Sequence, residues 1–483
     1  MAGKSASLAL AGIVVAALGA QAATVNVSNV HQLSSAISGA SPGDEIVLAA
    51  GTYDLTLQHG YYITTSDLTI RGATGNRDDV VIYGGGMNNT SAILEGIQLA
   101  APDCAIMDLT LSGFYHHAVH FQNGADRSVV RNVRTLNIGE HHMKGVRFAD
   151  GGLIEYCQMD QTETRLNGLG GRPDNYGGGI DLIGARNWTI RDNVARDIKC
   201  ADFGYGDAGI FLWQDIDNAT IERNVVIGCN KGIALGNPFS SNGAVNSTVA
   251  NNFIVRGADV GLELCSTIDT LVANNTIYGA DGGYFRAVHI YGSNTSGLEL
   301  VNNLIRGEIL DNAKGLWVGT TNITGATAGA DWFANAAGGN LHLTDLAVGA
   351  IDAGTLLAAI LEDMDTGART GPFDIGADEY WTPPPGDANK DGLVDVSDLA
   401  ILAGNYRRSG PYGWTNGDFN RDFAIDIADL AILAGNYRYS AGAAPAADGL
   451  PVPEPAALLL LTIGAALLRK GKRQRPTAMM NDK

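Results

Sequence analysis

Titratable side chains crowd into one short part of this sequence, where they could carry out acid–base chemistry. They comprise His116, His117, His120, Glu140, His141, His142, Lys144, Arg147 and Asp181. Such a set suits β-elimination on a uronate polymer. That reaction needs a cation to neutralise the C6 carboxylate, a base for the C5 proton and an acid for the leaving oxygen. We predict a catalytic group made of Lys144, Arg147, His120 and Asp181.

The residue types leave two assignments of roles open. In β-elimination, Lys144 or a histidine would be the base, and Arg147 would bind the substrate carboxylate. In hydrolysis by two carboxylates, Asp181 would act together with Glu155, Asp160 or Asp174.

The longest insertion in this region runs from Asp160 to Gly179 and adds further polar side chains. Long loops beside a rigid scaffold often carry binding residues. We therefore predict that substrate is bound by His117, His142, Arg165, Arg172 and Tyr176. An outward face that is simply solvated explains the cluster as well, so a non-catalytic surface or glycan-binding protein is the alternative.

The elements that must position these residues are short strands that repeatedly end in asparagine. Asn193, Asn224, Asn252, Asn275 and Asn303 follow one another at intervals of 31, 28, 23 and 28 residues. Asn132 ends an earlier strand, and Cys157 takes the same place 25 residues later. Such periods are typical of a parallel β-helix. We predict that the asparagines form a stacked ladder in its turns.

Aligning the coils on these asparagines places one group of strands in a column, with apolar residues inward and a single residue outward. Stacked strands lie about 4.8 Å apart, so outward residues of adjacent coils would reach one ligand. The outward column is predicted as His120, Arg147, Asp181, Phe211, Ala234, Glu263, His289 and Trp317.

Both ends of this region resemble a known superfamily. Val30–Ile37 is predicted to be an amphipathic helix that caps the first coil. The segments Pro42–Tyr53 and Asp374–Glu379 resemble the first and last coils of bacterial proteins of the pectate-lyase-like superfamily. The resemblance implies an all-β, right-handed parallel β-helix solenoid, and it implies no single reaction.

The chain departs from the enzymes of that superfamily at two points. Chondroitinase-B-like and alginate lyases carry a lysine followed, about one coil later, by Arg-His. Here Ile183–Gly184 stands at the second position. The paired-aspartate signature of polygalacturonases is also absent from the sequence.

A twelve-residue pattern of oxygen-bearing side chains occurs twice near the C-terminus. Positions 1, 3, 5, 9 and 12 are acidic or asparagine, and a backbone carbonyl serves position 7, as a wrapped hard cation requires. The predicted calcium ligands are Asp387, Asn389, Asp391, Leu393, Asp395 and Asp398, and then Asp418, Asn420, Asp422, Ala424, Asp426 and Asp429.

Each loop leads into one predicted helix, and the pair resembles a type I dockerin. The resemblance implies a small α-helical domain over residues 386–440 that binds two calcium ions and docks onto a cohesin-type partner. Phe423 replaces the glycine that makes the sharp turn at position 6. We therefore expect a weaker or distorted second site.

Both ends of the chain carry features of exported proteins. Residues 1–22 are predicted to be a signal peptide, with an apolar run and a small-x-small cleavage pattern. Val452–Pro455, an apolar stretch and a basic cluster resemble a PEP-CTERM sorting signal over residues 452–476. That resemblance implies processing by an exosortase and a location on the surface, or in the extracellular matrix, of a Gram-negative bacterium.

Composition agrees with this organisation. The chain has 483 residues, 63 of them glycine, and a net charge of −19, which argues against nucleic acid as the main partner. The predicted β-helix spans 23–380, and a Pro-rich linker at 381–385 and a second linker at 441–451 flank the dockerin-like module. The predicted function is that of an exported β-helix lyase or hydrolase acting on an acidic polysaccharide, with calcium as cofactor.

Overall fold

The structure is a computed structural model that describes residues 22–171, 176–200, 208–238, 243–255, 257, 259–279, 286–381, 384–410 and 412–437. Arg172 and Asp174, residues 1–21 of the predicted signal peptide, and the segments 441–451 and 452–476 lie outside these ranges. No helix among the described residues has the length and apolar composition needed to cross a membrane.

The chain winds into a solenoid whose coils pair through parallel strands, which confirms the predicted parallel β-helix. Two ladders share two long strands, β8 (Ala105–Ser112) and β10 (Val129–Leu136). The first ladder contains β1 (Thr24–Val27), β2 (Glu45–Leu48), β5 (Thr69–Gly72), β8 (Ala105–Ser112), β10 (Val129–Leu136), β12 (Leu153–Glu155), β15 (Thr189–Arg191), β19 (Thr220–Glu222), β23 (Thr248–Ala250), β26 (Leu271–Ala273), β29 (Leu298–Val301) and β32 (Trp317–Thr320). The second ladder adds β3 (Gly51–Asp54), β6 (Val80–Tyr83), β13 (Gln158–Asp160), β16 (Val194–Arg196), β20 (Val225–Ile227), β24 (Phe253–Val255), β27 (Thr276–Tyr278) and β30 (Leu304–Arg306).

A separate sheet of ten parallel strands forms the remaining side, which we call the site face. Its strands are β4 (Tyr61–Ile63), β7 (Glu95–Leu99), β9 (His117–Phe121), β11 (His141–Gly145), β14 (Gly178–Ile183), β17 (Ala208–Trp213), β21 (Lys231–Leu235), β25 (Val260–Cys265), β28 (Val288–Tyr291) and β31 (Ile309–Asp311). Four further short strands pair outside the main sheets: β18 (Ile216–Asp217) with β22 (Ala244–Val245), and β33 (Phe333–Asn335) with β34 (Asn340–Leu343).

One apolar core runs through the coils, because each strand turns alternate apolar side chains inward. Close stacking of the coils explains part of the glycine excess. A Cβ atom on Gly232 would lie 2.2 Å from the carbonyl oxygen of Gly261 on the next coil. Helix α1 (Val30–Gly39) buries Leu33 against the first coil, and the side chain of Asn29 caps its N-terminus. The predicted capping helix is therefore confirmed.

The asparagine ladder is present and continuous from Asn193 onward. The amide nitrogen of Asn224 donates to Asn252 at 3.0 Å, and Asn252 donates to Asn275 at 2.9 Å. Cys157 precedes the ladder, since its backbone N–H donates to Asn193. Asn132 lies one residue before the ladder position, level with Tyr156 and not with Cys157. Its side-chain nitrogen donates to the side chain of Asp108 and to the carbonyl of Gly75. All five cysteines are buried.

The C-terminal part of the described chain is a small helical unit. Helices α2 (Val396–Asn405) and α3 (Ile427–Asn436) both begin with a capping box, at Asp395 and Asp426. A compact apolar cluster lies between them and includes Leu402, Trp414 and Leu433. Each of the two helices follows one aspartate-rich loop. Calcium binding by these loops stays a prediction.

Candidate active site

The outward column of the site face differs from the predicted one at two coils. Lys144 pairs in register with His120 on one side and with Asp181 on the other. The prediction that Arg147 fills this place is wrong, because β11 starts at His141 and ends at Gly145. Val146 and Phe148 flank Arg147 with apolar residues, as inward-facing residues would in a strand, but Phe148 is 62% exposed. The observed column is Tyr62, Gln98, His120, Lys144, Asp181, Phe211, Ala234, Glu263, His289 and Leu310.

The two predicted residues that are absent from the observed column lie elsewhere. Trp317 belongs to the first ladder, where β32 pairs with β29. The guanidinium of Arg147 contacts the carboxylate of Asp215 and the side chain of Gln214 on a turn beside the column. The loop lengths differ between coils, so an alignment on asparagines alone could not fix the register of this strand.

Asp181 is the centre of a buried charge network. Its Oδ2 lies 2.9 Å from Lys144 Nζ and 3.0 Å from His141 Nε2, and its Oδ1 accepts a 2.8 Å hydrogen bond from Trp213. Burial alone would raise the pKa of Asp181, but its interactions with His141 and Lys144 outweigh burial and hold that pKa below its usual range. Asp181 is therefore a carboxylate at neutral pH.

A second group lies on the preceding coils and is more open to solvent. Glu95 Oε2 lies 3.3 Å from His120 Nδ1, and Glu140 lies 3.6 Å from His117 and 3.7 Å from His116. Burial, followed by the charges of neighbouring histidines and Lys144, holds the pKa of His117 well below its usual value. The side chains of His116 and Glu95 are the exposed members, at 31% and 21%.

Aromatic rings border the buried network. The ring of Tyr176 meets that of His141 edge-on at 4.4 Å between centroids, and Lys144 Nζ lies 5.6 Å from the Tyr176 ring. Phe211 and Trp213 stack at 5.8 Å with their planes nearly parallel. Half-buried parallel rings beside charged groups can support the flat faces of sugars.

Two residues predicted to bind substrate do not lie on the outer face. His142 is fully buried inside the coil, where its Nδ1 lies 2.7 Å from Thr135 Oγ1. Arg165 is also buried and donates to the carbonyl of Gly139 and the side chain of Asn167, so it fastens the insertion to the coil. His117 and Tyr176 do lie beside the site, whereas Arg172 is outside the described residues.

The carboxylates considered for hydrolysis are not brought together. Glu155 lies on the first ladder between Arg131 and Arg191, and Asp160 lies on the second ladder beside Arg134. Neither shares the site face with Asp181, and Asp174 is outside the described residues. Sequence reasoning missed Glu95, Gln98 and Trp213. The strand Glu95–Leu99 has the same apolar alternation as its neighbours, and this signal could have extended the column by one coil.

The two aspartate-rich loops have matching backbones. In the first loop the N–H of Gly392 donates to Asp387 at 2.8 Å, and in the second the N–H of Phe423 donates to Asp418 at 2.9 Å. Phe423 adopts the left-handed φ of +68° that glycine would favour. The first and last aspartates of both loops, Asp387, Asp398, Asp418 and Asp429, are buried. This oxygen-only set fits a hard cation.

The fold and site define a parallel β-helix with a charged, aromatic-bordered column on one face. A family model described as periplasmic copper-binding protein (NosD) matches residues 74–324, slightly more than half of the chain. The chain belongs to this family. No curated protein sequence matches it.

Solved structures similar to this chain are remote in sequence. Pectate lyase Pel9A is 15% identical with a TM-score of 0.47, and the match covers 75% of this chain and 98% of Pel9A. XylC in complex with xylose is 10% identical with a TM-score of 0.45, covering 73% and 98%. Alginate lyase AlyF-OU02 is 15% identical with a TM-score of 0.42, covering 64% and 62%.

The copper implied by the family description finds a suitable donor set on the site face. Donor atoms of Glu95, His117 and His120 all lie within 4.8 Å of one another. Imidazole nitrogen and carboxylate oxygen are ligands that copper and zinc accept. The buried Nε2 atom of His120 has no hydrogen-bond partner among the described residues, so this nitrogen is available as a metal ligand. These three residues therefore fit such an ion.

Proposed function

We propose that the protein binds an acidic polysaccharide along the site face and cleaves it by β-elimination. The observation that carries this proposal is the register of β9, β11 and β14. It fixes the Lys144 cation between the imidazole of His120 and the carboxylate of Asp181. A polymer lying along the solenoid axis would meet one outward side chain about every 4.8 Å.

The residues of the column take distinct roles in this reaction. The charge of Lys144 stabilises a uronate carboxylate bound over the neighbouring coil. Only 6% of its side chain is exposed, so it acts at short range through a dry environment. The imidazole of His120, whose side chain is 15% exposed, accepts the C5 proton, and Glu95 beside Nδ1 orients the ring. The C5 proton moves to the imidazole, the C4–C5 double bond forms as the C4–O bond breaks, and the imidazolium then returns the proton to the leaving oxygen.

The electrostatics favour elimination over hydrolysis by two carboxylates. A hydrolytic acid must carry a proton near neutral pH, whereas the lowered pKa of Asp181 keeps this group ionised. Asp181 instead positions Lys144 and His141. The polysaccharide itself is a proposal drawn from the chemistry of these side chains.

The test is to incubate the purified chain with pectate, alginate and glycosaminoglycans and follow the ultraviolet absorbance of unsaturated uronates. We expect this absorbance to rise with at least one polymer. Binding of a polymer without any rise would favour the non-catalytic glycan-binding alternative. If no polymer of the panel binds and none gives a rise in absorbance, the proposal is rejected.

A second candidate function is transition-metal binding by Glu95, His117 and His120. The family description and the unpartnered Nε2 of His120 both favour it. Metal analysis and Cu(II) electron paramagnetic resonance on the full chain test it, with His120→Asn and Glu95→Gln as variants. His289→Asn is the control, because His289 lies in the same column five coils beyond Lys144. Equal copper retention by all three variants and the native chain would reject this site.

We also propose that the two C-terminal loops bind calcium through the twelve predicted ligands. Matching hydrogen bonds in both loops and the buried aspartates support this. Export, processing by an exosortase and a cohesin-type partner follow from the resemblances of the terminal segments and of the helical unit. The periplasmic description of the family supports export.

A further inference from the structure

The helical unit of residues 386–437, here the calcium-loop module, is packed against the β-helix through aromatic contacts. Tyr412 of the module stacks on Tyr156 of the solenoid, with centroids 5.3 Å apart and planes inclined by only 6°. Tyr412 is 5% exposed and belongs to the apolar cluster between the two helices. The contact therefore joins the core of the module to the surface of the solenoid.

A buried arginine of the β-helix completes this contact. Arg77 is 1% exposed and donates to the carbonyl of Tyr156, the side chain of Gln158 and the hydroxyl of Ser409. A buried guanidinium is stable only when its donors find acceptors. One of those acceptors comes from the module, so removing the module would expose and unpair part of this network.

Phe423 explains why the second loop departs from the calcium-loop pattern. Its ring packs against an apolar cluster that joins the second ladder of the solenoid to the segment that follows it, and the guanidinium of Arg196 lies 5.2 Å from the ring centroid. Glycine could make the turn without strain, but it could not make these contacts. A bulky residue at positive φ usually costs about 1–2 kcal/mol, and burial of the ring against the solenoid offsets that cost.

Ionic contacts surround the aromatic ones. Arg421, at position 4 of the second loop, lies 3.5 Å from the buried Asp365 of the segment that follows the solenoid. Thr415 donates to the backbone carbonyl of Asp365. Arg421 and Phe423 thus both alternate with the predicted ligands Asn420, Asp422 and Ala424. The conformation that presents ligands to an ion is the one that presents Arg421 and Phe423 to the rest of the chain.

We propose that the calcium-loop module is a built-in partner of the chain's own β-helix, docked through Tyr412 and Phe423, and that calcium in the second loop strengthens this docking. The inference rests on the proposed calcium binding but not on the proposed elimination reaction. Docking leaves Val396 and Ile427, at the starts of the two helices, 61% and 57% exposed. That face stays available to a separate protein.

Hydrogen exchange on the full chain tests this inference, read at β-helix peptides that contain Arg77 and Tyr156. We expect calcium to slow their exchange several-fold in the native chain. In Phe423→Gly we expect calcium affinity, measured by calorimetry, to stay equal or rise because the turn is relieved, while the calcium-dependent protection is lost. Val396→Ala is the control, since Val396 is an exposed apolar residue of the module and is not one of the predicted calcium ligands.

Tyr412→Ala provides a second variant outside both loops, in case Phe423→Gly disturbs the ion site. It should bind calcium normally and also lose the protection at the β-helix peptides. Native exchange that is indifferent to calcium would overturn the inference. So would protection that persists in Tyr412→Ala and in calcium-binding Phe423→Gly.

Discussion

Lys144 Nζ lies 2.9 Å from Asp181 Oδ2, across two adjacent coils of the solenoid. The same carboxylate also contacts the imidazole of His141 and accepts a hydrogen bond from the indole N–H of Trp213. A lysine that is almost fully buried keeps its charge only beside such an anion. The pair therefore places a fixed cation next to the more accessible His120, and the proposed chemistry depends on it.

Replacing Asp181 with asparagine should destabilise the fold markedly. The change leaves Lys144 and His141 buried without their counter-charge, for which losses of about 3–5 kcal/mol in the free energy of unfolding are typical. Urea unfolding measures the loss. Asp215→Asn is the matched control, because it breaks the solvent-exposed contact with Arg147 and should cost less than about 1 kcal/mol. Equal losses would contradict the buried network.

Acid should weaken the fold through His142. Burial lowers the pKa of His142 from 6.5 to about 4, while Asp160 and His141 act on the ring in opposite directions. The unfolded chain therefore takes up the proton at higher pH than the folded chain. The stabilisation is complete above about pH 6.5 and falls by about 3 kcal/mol as the pH drops to about 4.

The His142→Asn variant isolates this contribution. Asparagine can still bond Thr135 but does not titrate, so the dependence of unfolding free energy on pH between these limits should become flatter by a similar amount. Urea midpoints at several pH values provide the comparison. An unchanged pH slope in the variant would mean that other groups cause the acid sensitivity.

Interrupting the asparagine ladder should cost more than altering a surface asparagine. Asn252 accepts from both the backbone and the side-chain nitrogen of Asn224. Asn252→Ala therefore leaves the buried backbone N–H of Asn224 unpaired, while the side-chain nitrogen keeps its bonds to the carbonyls of Ile190 and Glu222. Each unpaired buried donor costs about 1–3 kcal/mol. Asn218→Ala, which removes an exposed bond to Asn187, should change the unfolding free energy by less than about 1 kcal/mol.

Calcium titration should reveal two sites in the full chain. Calorimetry is expected to lose one site in Asp387→Asn and the other in Asp418→Asn, because each variant removes a position-1 carboxylate. Asp345→Asn, outside both loops, should keep both sites. No heat from the native chain at millimolar calcium would reject the calcium assignment.

The fold could be predicted because it repeats. Asparagines at a steady interval and alternating apolar residues identify a β-helix, and Asn193 to Asn303 stack as that pattern predicts. The site was only partly predictable. His120, Lys144 and Asp181 share one column. Because loop lengths differ between coils, the predicted column contained Arg147 where the structure has Lys144. Whether a histidine such as His142 points inward depends on the local bend of β11, which residue types do not reveal.

Contacts between distant segments also lay beyond the sequence. In the sequence, Phe423 is only a departure from the calcium-loop pattern. In the structure, its ring packs against the solenoid. Arg77 and Ser409 are separated by 332 residues, and no local pattern links them.

The role of His120 as the base of the elimination is tested by the release of unsaturated uronate by His120→Asn, compared with the native chain and with His289→Asn. We predict that the native chain and His289→Asn form product at similar rates on the polymer they cleave. His120→Asn should be at least about 100-fold slower, the usual contribution of a general base. Product formation by His120→Asn at the native rate would contradict the account.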